Sequence, residues 1–265
     1  MTEVERRYSQ MPVITVSAGK VKEETIPIVN ELKLKLLLNG TDLVSLMCLP
    51  EKLEELAAGF LFSEGFIKEK RNIDSIKVNL PESTIEVSAS IVEGSFEMFK
   101  EHSALVSGCG KGVSGAEADR LVNCKRIDTS LRVSSEALLQ LSKMFQKHSS
   151  LYAETGGVHS AAIVDDGEIL ISADDIGRHN AVDKVIGEAL LKEIDLSDKI
   201  MITTGRVSSE IAVKSIIRKI QLVIARSGPT ALAIRLADEY FMTLIGFARG
   251  GKMKIFTHPE RVLLP

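Results

Sequence analysis

The second half of the chain alternates short apolar runs with amphipathic helical patterns, and this alternation constrains the fold most. In order, the pattern predicts a helix at 134–148, a hairpin at 158–172, a helix at 180–191, a strand at 199–203, a helix at 208–219, a strand at 222–225, a helix at 230–239 and a strand at 243–248. Uninterrupted apolar strands are typical of sheets covered by helices on both faces. We therefore predict a mainly parallel sheet in an αβα sandwich.

The first half is rich in predicted strands. Leu32–Leu38 alternates leucine with lysine, and Asn39-Gly40 is a strong signal for a type I′ hairpin turn. Further strands are predicted at 43–49, 76–80 and 84–92, with a helix at 51–62. A glycine-rich segment at 106–115 then precedes a predicted domain boundary near residue 128. The chain is thus predicted to be α/β (α+β overall), with a β-rich domain at 1–128 and an αβα domain at 129–265.

Small and charged residues follow the predicted strands of the second half. Ligands of open α/β sheets bind beyond the carboxyl ends of strands, and helix N-termini bind anions through free N–H groups. Together these clusters predict a site for a nucleotide or another phosphorylated ligand, although none is a Walker A or Gly-x-Gly-x-x-Gly sequence. The candidate binding residues are Thr155, Gly156, Gly157, His159, Gly177, Arg178, His179, Asn180, Thr204, Gly205, Arg206, Ser227, Gly228, Phe247, Ala248, Arg249, Gly250, Gly251 and Lys252.

Several of these side chains have more than one interpretation. His159 and His179 can be acid/base groups, ligand contacts or structural residues. Asp174, Asp175 and Asp183 can accept hydrogen bonds from a base or ribose, or cap a helix. The glycines and cations at 247–252 suit either an anion contact or a solvated hairpin turn.

Cys109 is the candidate nucleophile among three cysteines. It lies between two glycines and two residues before Lys111, whose ammonium group favours the thiolate. A thiolate can attack a sulfane sulfur and hold it as a persulfide. Cys48 and Cys124 are expected to be packing residues. There is no Cys-x-x-Cys pair and no zinc-type spacing, so no protein-bound metal is expected.

Charge and hydropathy argue against nucleic acid and membranes as partners. The net charge of −3 does not favour nucleic acid. No apolar run approaches the roughly 20 residues that span a bilayer, and the charged start Met-Thr-Glu-Val-Glu-Arg-Arg does not look like a signal peptide. We expect a cytoplasmic protein that binds neither nucleic acid nor membranes.

The chain resembles the formate dehydrogenase accessory sulfurtransferase family (FdhD). The most specific similarities are Thr-Gly-Gly-Val-His at 155–159 and Asp-Ile-Gly-Arg-His-Asn-Ala-Val-Asp-Lys at 175–184. Others are Leu-Asn-Gly at 38–40, Leu-Met-Cys-Leu-Pro at 46–50, Ala-Gly-Phe-Leu-Phe-Ser-Glu-Gly at 58–65, Phe-Ala-Arg at 247–249 and Ile-Phe-Thr-His-Pro-Glu-Arg at 255–261. The resemblance therefore extends along most of the chain.

This resemblance implies a sulfurtransferase that carries sulfur as a persulfide. Its donor would be a cysteine desulfurase, and its acceptor the molybdenum bis(molybdopterin guanine dinucleotide) cofactor of formate dehydrogenase. Cys109 would carry the sulfur and residues 247–252 would bind the cofactor. A homodimer is expected by the same analogy. The second half would be similar to the cytidine deaminase fold, but the zinc cysteines of deaminases are absent, which argues against base deamination.

The loop departs from the family in one respect. Many members have Cys-Gly-x-Cys-Gly-Lys, whereas this chain has Val-Ser-Gly-Cys-Gly-Lys at 106–111, so a two-cysteine relay is in doubt. One thiol is chemically sufficient, because the acceptor or an external thiol can complete the exchange. The main alternative is a non-catalytic chaperone that binds and protects the molybdenum cofactor. A nucleotide hydrolase is a third interpretation, but it lacks an evident metal site or nucleophile–base pair.

Overall fold

A computed structural model describes residues 7–106, 120–121, 124–127 and 130–265, without the side chains of 101–106. Cys109 and the predicted domain boundary near residue 128 lie outside the described residues. No helix in the described ranges is long and apolar enough to cross a membrane.

The first half forms a two-stranded ribbon and a four-stranded sheet. Its elements are β1 (Tyr8–Ser17), β2 (Lys20–Val29), β3 (Leu32–Leu38), β4 (Thr41–Cys48), α1 (Leu53–Ser63), β5 (Ile73–Asn79), β6 (Thr84–Ala89) and α2 (Ser95–Val106). Among the described strands β1 pairs only with β2, and the second sheet has the order β4-β3-β6-β5. Positive φ angles of 52° at Asn39 and 76° at Gly40 confirm the predicted hairpin turn. The ribbon was not predicted from the sequence.

The second half forms a six-stranded sheet with the order β13-β12-β11-β10-β8-β9. Its elements are β7 (Val133–Ser134), α3 (Ser135–Phe145), α4 (Ser150–Thr155), β8 (His159–Asp165), β9 (Glu168–Asp175), α5 (Arg178–Leu191), β10 (Ile200–Thr203), α6 (Ser209–Ile217), β11 (Leu222–Ala225), α7 (Ala231–Glu239), β12 (Thr243–Arg249), β13 (Lys252–Thr257) and β14 (Val262–Leu263). Most bounds differ from the predictions by one to three residues. The short helix α4 and the strands β7, β13 and β14 were not predicted.

The expectation of a mainly parallel sheet is wrong. β10, β11 and β12 are parallel, but β8 runs antiparallel to β10, and both edge strands, β9 and β13, are also antiparallel to their neighbours. The physical reason is that α5 connects β9 to β10, which run in the same direction, and the hairpin partner β8 lies between these two strands and is antiparallel to both.

Helices cover both faces of this sheet, which confirms the αβα layers. Alternate residues of β10 point to opposite faces, so Met201 packs in one cluster with α5, α6 and α7. Ile200 and Ile202 pack in the other cluster, which contains Leu138, Leu141 and Phe145 of α3. One face therefore holds three helices and the other holds α3.

The two halves of the chain meet where α1 crosses α5. An added Cβ at Gly59 would lie 1.9 Å from the carbonyl oxygen of Asp183, and one at Gly187 would lie 1.9 Å from that of Glu55. Only glycine permits so close an approach of two helix backbones at these positions. The helices therefore pack backbone against backbone.

Candidate functional site

The predicted polar clusters meet along one edge of the large sheet. β8 runs antiparallel to β10, so His159 at the start of β8 lies beside the end of β10. The Thr204 N–H donates to the Ser160 carbonyl (3.0 Å), and the Phe247 N–H donates to the Ser227 carbonyl (3.1 Å). We call this edge the rim; it comprises His159, Gly177–His179, Thr204–Arg206, Arg226–Gly228 and Phe247.

Two glycines let neighbouring rim segments touch. A Cβ at Gly205 would lie 2.8 Å from the Cβ of Arg178, and a Cβ at Gly228 would lie 2.6 Å from the Cζ of Phe247. Any larger residue at either position would therefore push Arg178 or Phe247 away. Gly205, which follows β10, and Gly228, which follows β11, thus set how closely the neighbouring segments of the rim approach each other.

Phe247 is held in an unusual backbone conformation at the end of this edge. Its φ of 54° is in the left-handed region, where a bulky residue is strained, and it lies at a register shift of β12 against β13. Its ring packs over Gly228 and is 38% exposed, and the Lys254 Nζ lies 5.2 Å from its centroid. This arrangement presents an aromatic surface with a cation beside it, which suits stacking of a flat ring.

Both rim histidines are held in the neutral form. Burial lowers the pKa of His159, and the nearby Arg178 adds to the effect; its Nδ1 is 3.5 Å from the Thr204 hydroxyl. Burial, followed by Lys214 and other neighbouring cations, lowers the pKa of His179 to about 4. Neutral imidazoles can donate and accept hydrogen bonds without adding positive charge. The geometry therefore favours contact or structural roles over a protonated catalytic acid.

The low pKa of His179 predicts a loss of stability in acid. An unfolded histidine protonates near its usual pKa of 6.5, whereas the folded one resists protonation down to about 4. The free energy of unfolding should therefore be constant above pH 6.5 and decrease through this window, by at most about 1.4 kcal/mol per pH unit. His179→Gln removes this titration and should flatten the profile, as measured by denaturant unfolding at several pH values. Parallel profiles of the two proteins would refute the assignment.

Four arginines at or beyond the rim have no carboxylate partner among the described residues. Within the described ranges, no acidic oxygen lies within 4.0 Å of Arg178, Arg206, Arg226 or Arg249. The Nε of Arg178 is also buried and has no hydrogen-bond partner there. A buried donor without an acceptor is costly, so an anionic ligand would complete the site. Arg226 was missed by the sequence analysis, although it directly precedes Ser227.

The nearby acids and Asn180 bind other parts of the protein. Asp174 accepts hydrogen bonds from Ser149 (2.7 Å) and Ser160 (2.6 Å). The Asn180 amide donates to the Met47 carbonyl (2.7 Å) and to Asp175 (2.9 Å). The buried Asp183 pairs with Lys214 at 2.6 Å. These contacts favour structural roles for the acids over recognition of a base or ribose.

Asp175 is the most highly connected of these acids. Its carboxylate accepts from the Leu49 N–H at 3.1 Å and the Gly177 N–H at 2.9 Å, and it pairs with Lys184 at 2.6 Å. Both side chains of this ion pair are fully buried. The acid therefore ties the end of β4 to the start of α5, where Arg178 lies.

The remaining candidate residues have local structural functions. Thr155 and Gly156 (φ 65°) end α4, and Gly157 packs against Val29. Ala248 is buried beneath α3, and its carbonyl accepts from Ser142 at 2.6 Å. Arg249 pairs with Lys252 around Gly250-Gly251, whose φ angles of 60° and 71° form a hairpin turn exposed beyond the rim. Ligand binding by all of these residues stays a prediction.

The described cysteines do not lie at the rim. Burial raises the pKa of the Cys48 thiol to about 12, and Cys124 is half-buried in a cavity that shares no lining residue with the rim. In the part of the chain that the structure describes, no group of three or more His, Cys, Asp or Glu side chains could hold a metal ion. The described part of the rim therefore contains no cysteine, and the candidate nucleophile Cys109 lies outside the described ranges.

Comparisons with known proteins agree on one family. Residues 29–263 match the model of the FdhD/NarQ family. A sulfur carrier protein FdhD from Bacillus subtilis (strain 168) is 38% identical over 246 residues, covering 92% of this chain and 93% of the relative. One from Wolinella succinogenes is 39% identical over 241 residues, covering 91% and 84%. A crystal structure of a candidate formate dehydrogenase accessory protein from Desulfotalea psychrophila has a TM-score of 0.81 at 26% identity, covering 97% of this chain and all of that one.

Proposed function

Because the chain belongs to the FdhD/NarQ family, we propose that it carries persulfide sulfur from a cysteine desulfurase to the bis-guanylated molybdenum cofactor of formate dehydrogenase. Relatives named as sulfur carriers support the carrier role. The related structure of a candidate formate dehydrogenase accessory protein supports the target. The acceptor is the substrate in this proposal.

The rim arginines that lack a carboxylate partner in the described ranges are the main support for a phosphate-rich acceptor. Each guanine dinucleotide arm contains a pyrophosphate, and guanidinium groups bind phosphate oxygens through paired hydrogen bonds. Arg178 has a buried Nε that lacks an acceptor among the described residues. The neighbouring turns at Thr204-Gly205 and Ser227-Gly228 lie at strand ends, where phosphates bind in α/β folds. Phe247 offers its exposed face to a guanine base.

The sulfur-transfer step is assigned to Cys109. Its thiolate attacks the outer sulfur of the donor's persulfide, a new S–S bond forms on Cys109, and the donor cysteine leaves as a thiolate. In the second transfer the acceptor supplies the electron pair that reduces this sulfur, and Cys109 leaves as a thiolate. Incubation with a cysteine desulfurase and cysteine should add sulfur to the chain, as measured by intact mass. A chain that gains no sulfur would contradict the carrier role.

Arg178→Gln should weaken nucleotide binding. With GDP as the probe, we expect a loss of affinity of about ten- to a hundredfold, because a charge-assisted hydrogen bond contributes about 1.5–3 kcal/mol. The remaining affinity should also depend less on salt concentration, since one cation has been removed. Isothermal titration calorimetry at two salt concentrations measures both effects.

Arg71→Gln is the matched control for this measurement. Arg71 is 82% exposed in its side chain, pairs with Glu69 and belongs to the first half of the chain, so its removal changes the net charge equally without touching the rim. GDP should bind this variant as tightly as the wild type. Equal affinities for all three proteins would exclude Arg178 as a phosphate ligand.

A further inference from the structure

A second cluster of unpaired polar groups lies away from the rim. A cavity of about 260 Å³ is enclosed by the end of α1, by α2, by Arg120 and Cys124, and by the end of α6. We call it the Arg218 cavity. It shares no lining residue with the rim, so an inference about it does not depend on the proposed cofactor site.

Arg218 is the first unusual group in the Arg218 cavity. One of its Nη atoms donates to the Phe62 carbonyl, and its guanidinium lies against the Phe62 ring. Its Nε is buried and has no hydrogen-bond partner among the described residues. Burial, together with the nearby Arg120, lowers its pKa to about 9. The protein thus holds a guanidinium in a place that disfavours positive charge.

The acid in this cavity does not neutralise Arg218. Glu64 lies 3.4 Å from Arg120 and 3.6 Å from Lys214, and in the described ranges no carboxylate oxygen lies within 4.0 Å of Arg218. Glu64 therefore already pairs with Arg120 and Lys214, and Arg218 has no carboxylate partner among the described residues. Leaving a partly buried charge unpaired is unfavourable, and a bound anion would relieve it.

Ser95 is the second unusual group. Its side chain is 5% exposed and lines the same cavity, yet its hydroxyl has no hydrogen-bond partner in the part of the chain described. A buried hydroxyl without a partner costs about 1–3 kcal/mol. Ser95 at the start of α2 and Arg218 directly after α6 thus each offer an unmatched donor in one cavity, and each could bind an oxygen atom of a ligand.

The rest of the cavity wall is largely apolar. Its apolar lining residues are Met98 and Phe99 of α2, Ile67, Val92 and Ile217. A volume of about 260 Å³ lies just below the usual range of about 300–1,000 Å³ for ligand pockets, so the ligand must be small. The guanidinium and hydroxyl groups suit an anionic group, and the apolar side chains suit a short hydrocarbon segment of the same ligand.

We propose that the Arg218 cavity binds a small oxyanion with a short apolar tail, either a carboxylate or a phosphate ester. The anionic group lies between Arg218, Arg120 and Ser95, and the tail lies against Phe99 and Ile217. Residues 107–119 connect α2 to Arg120, so the ligand binds where the segment that carries Cys109 joins the described fold.

Cys124 provides a direct readout of occupancy. It lines the cavity and is half-buried, so a bound ligand should shield its thiol. The probes are inorganic phosphate, acetate and hexanoate, added to the full chain before alkylation with a maleimide. Peptide mass mapping then reports the modification of Cys124 separately from that of Cys109. We expect at least one anion to slow the alkylation of Cys124.

The three probes distinguish the ligand sources. If hexanoate protects Cys124 at concentrations at least about tenfold below those that acetate requires, the apolar wall contributes to binding. This result would assign a carboxylate as the ligand. Protection by phosphate at lower concentration than either carboxylate would assign a phosphate ester. If none of the three probes protects Cys124 at millimolar concentrations, the proposed site is wrong.

Two variants test which groups bind the anion. Arg218→Gln should weaken protection of Cys124 by the best probe at least tenfold, and Ser95→Ala about tenfold. Ser95→Ala should not lower the thermal stability of the free protein, because it removes an unsatisfied buried hydroxyl, whereas Arg218→Gln also removes the hydrogen bond to the Phe62 carbonyl. Lys219→Gln is the control, since it removes a neighbouring cation that does not line the cavity. Protection that is unchanged in Arg218→Gln would overturn the proposal while leaving sulfur loading at Cys109 untouched.

Discussion

Cys109→Ser should reduce sulfur loading and formate dehydrogenase activity to background. A serine hydroxyl cannot form the S–S bond that holds a sulfane sulfur, so the chain loses its only proposed carrier atom. The measurements are intact mass after incubation with a desulfurase and cysteine, and formate dehydrogenase activity in cells whose own accessory protein has been replaced by the variant.

Two controls separate loss of chemistry from loss of structure. Cys48→Ala removes a buried thiol whose pKa burial raises to about 12, so it should load sulfur like the wild type. Cys109→Ser should bind GDP as tightly as the wild type, because the rim is built from other residues. If Cys109→Ser still supports full dehydrogenase activity, the protein acts as a cofactor chaperone and the sulfur-carrier proposal fails.

Gly187→Ala should destabilise the protein by about 3–5 kcal/mol, an unusually large effect for one methyl group. The added Cβ would lie 1.9 Å from the Glu55 carbonyl oxygen and 2.6 Å from the Gly59 backbone nitrogen. Neither is a flexible side chain that can move aside, so α1 and α5 must separate. The cores on both sides of this crossing would then lose packing contacts.

Denaturant unfolding measures this effect, and Glu54→Ala is the control. Glu54 is exposed on α1, so its replacement should change the free energy of unfolding by about 0.5 kcal/mol or less. In an exposed helix, Gly→Ala stabilises the protein by about 1 kcal/mol. The sign of the change in the free energy of unfolding therefore distinguishes a close helix crossing from an exposed position. A more stable Gly187→Ala protein would show that the two helices do not pack this closely.

The sequence predicted local structure better than strand direction. The Asn39-Gly40 turn and the strands 222–225 and 243–248 carry their own signals, namely turn chemistry and uninterrupted apolar runs. Strand direction depends on which neighbour a hairpin joins, and nothing within 158–172 encodes its antiparallel pairing with β10. The β1–β2 ribbon was missed because most of its residues are exposed, which weakens the alternation that reveals a strand.

The candidate site was predictable where residues follow neighbouring parallel strands, because the carboxyl ends of such strands lie at the same end of the sheet. Thr204 and Ser227 each follow a strand of the parallel part of the sheet, so their proximity follows from topology. The functions of the acids were not predictable, because their partners are distant in sequence. Asp175, for example, binds the Leu49 N–H, which lies 126 residues away.

Through that hydrogen bond the first half of the chain helps to fix the position of α5 in the second half. Asp175 and Asn180 fix the start of α5 against the main chain at Met47 and Leu49, and Arg178 lies between them in sequence. The position of the Arg178 guanidinium, the proposed phosphate ligand, thus depends on contacts with the end of a strand in the other sheet. A substitution that shifts the main chain at Met47 or Leu49 should therefore also shift Arg178 in the proposed nucleotide site.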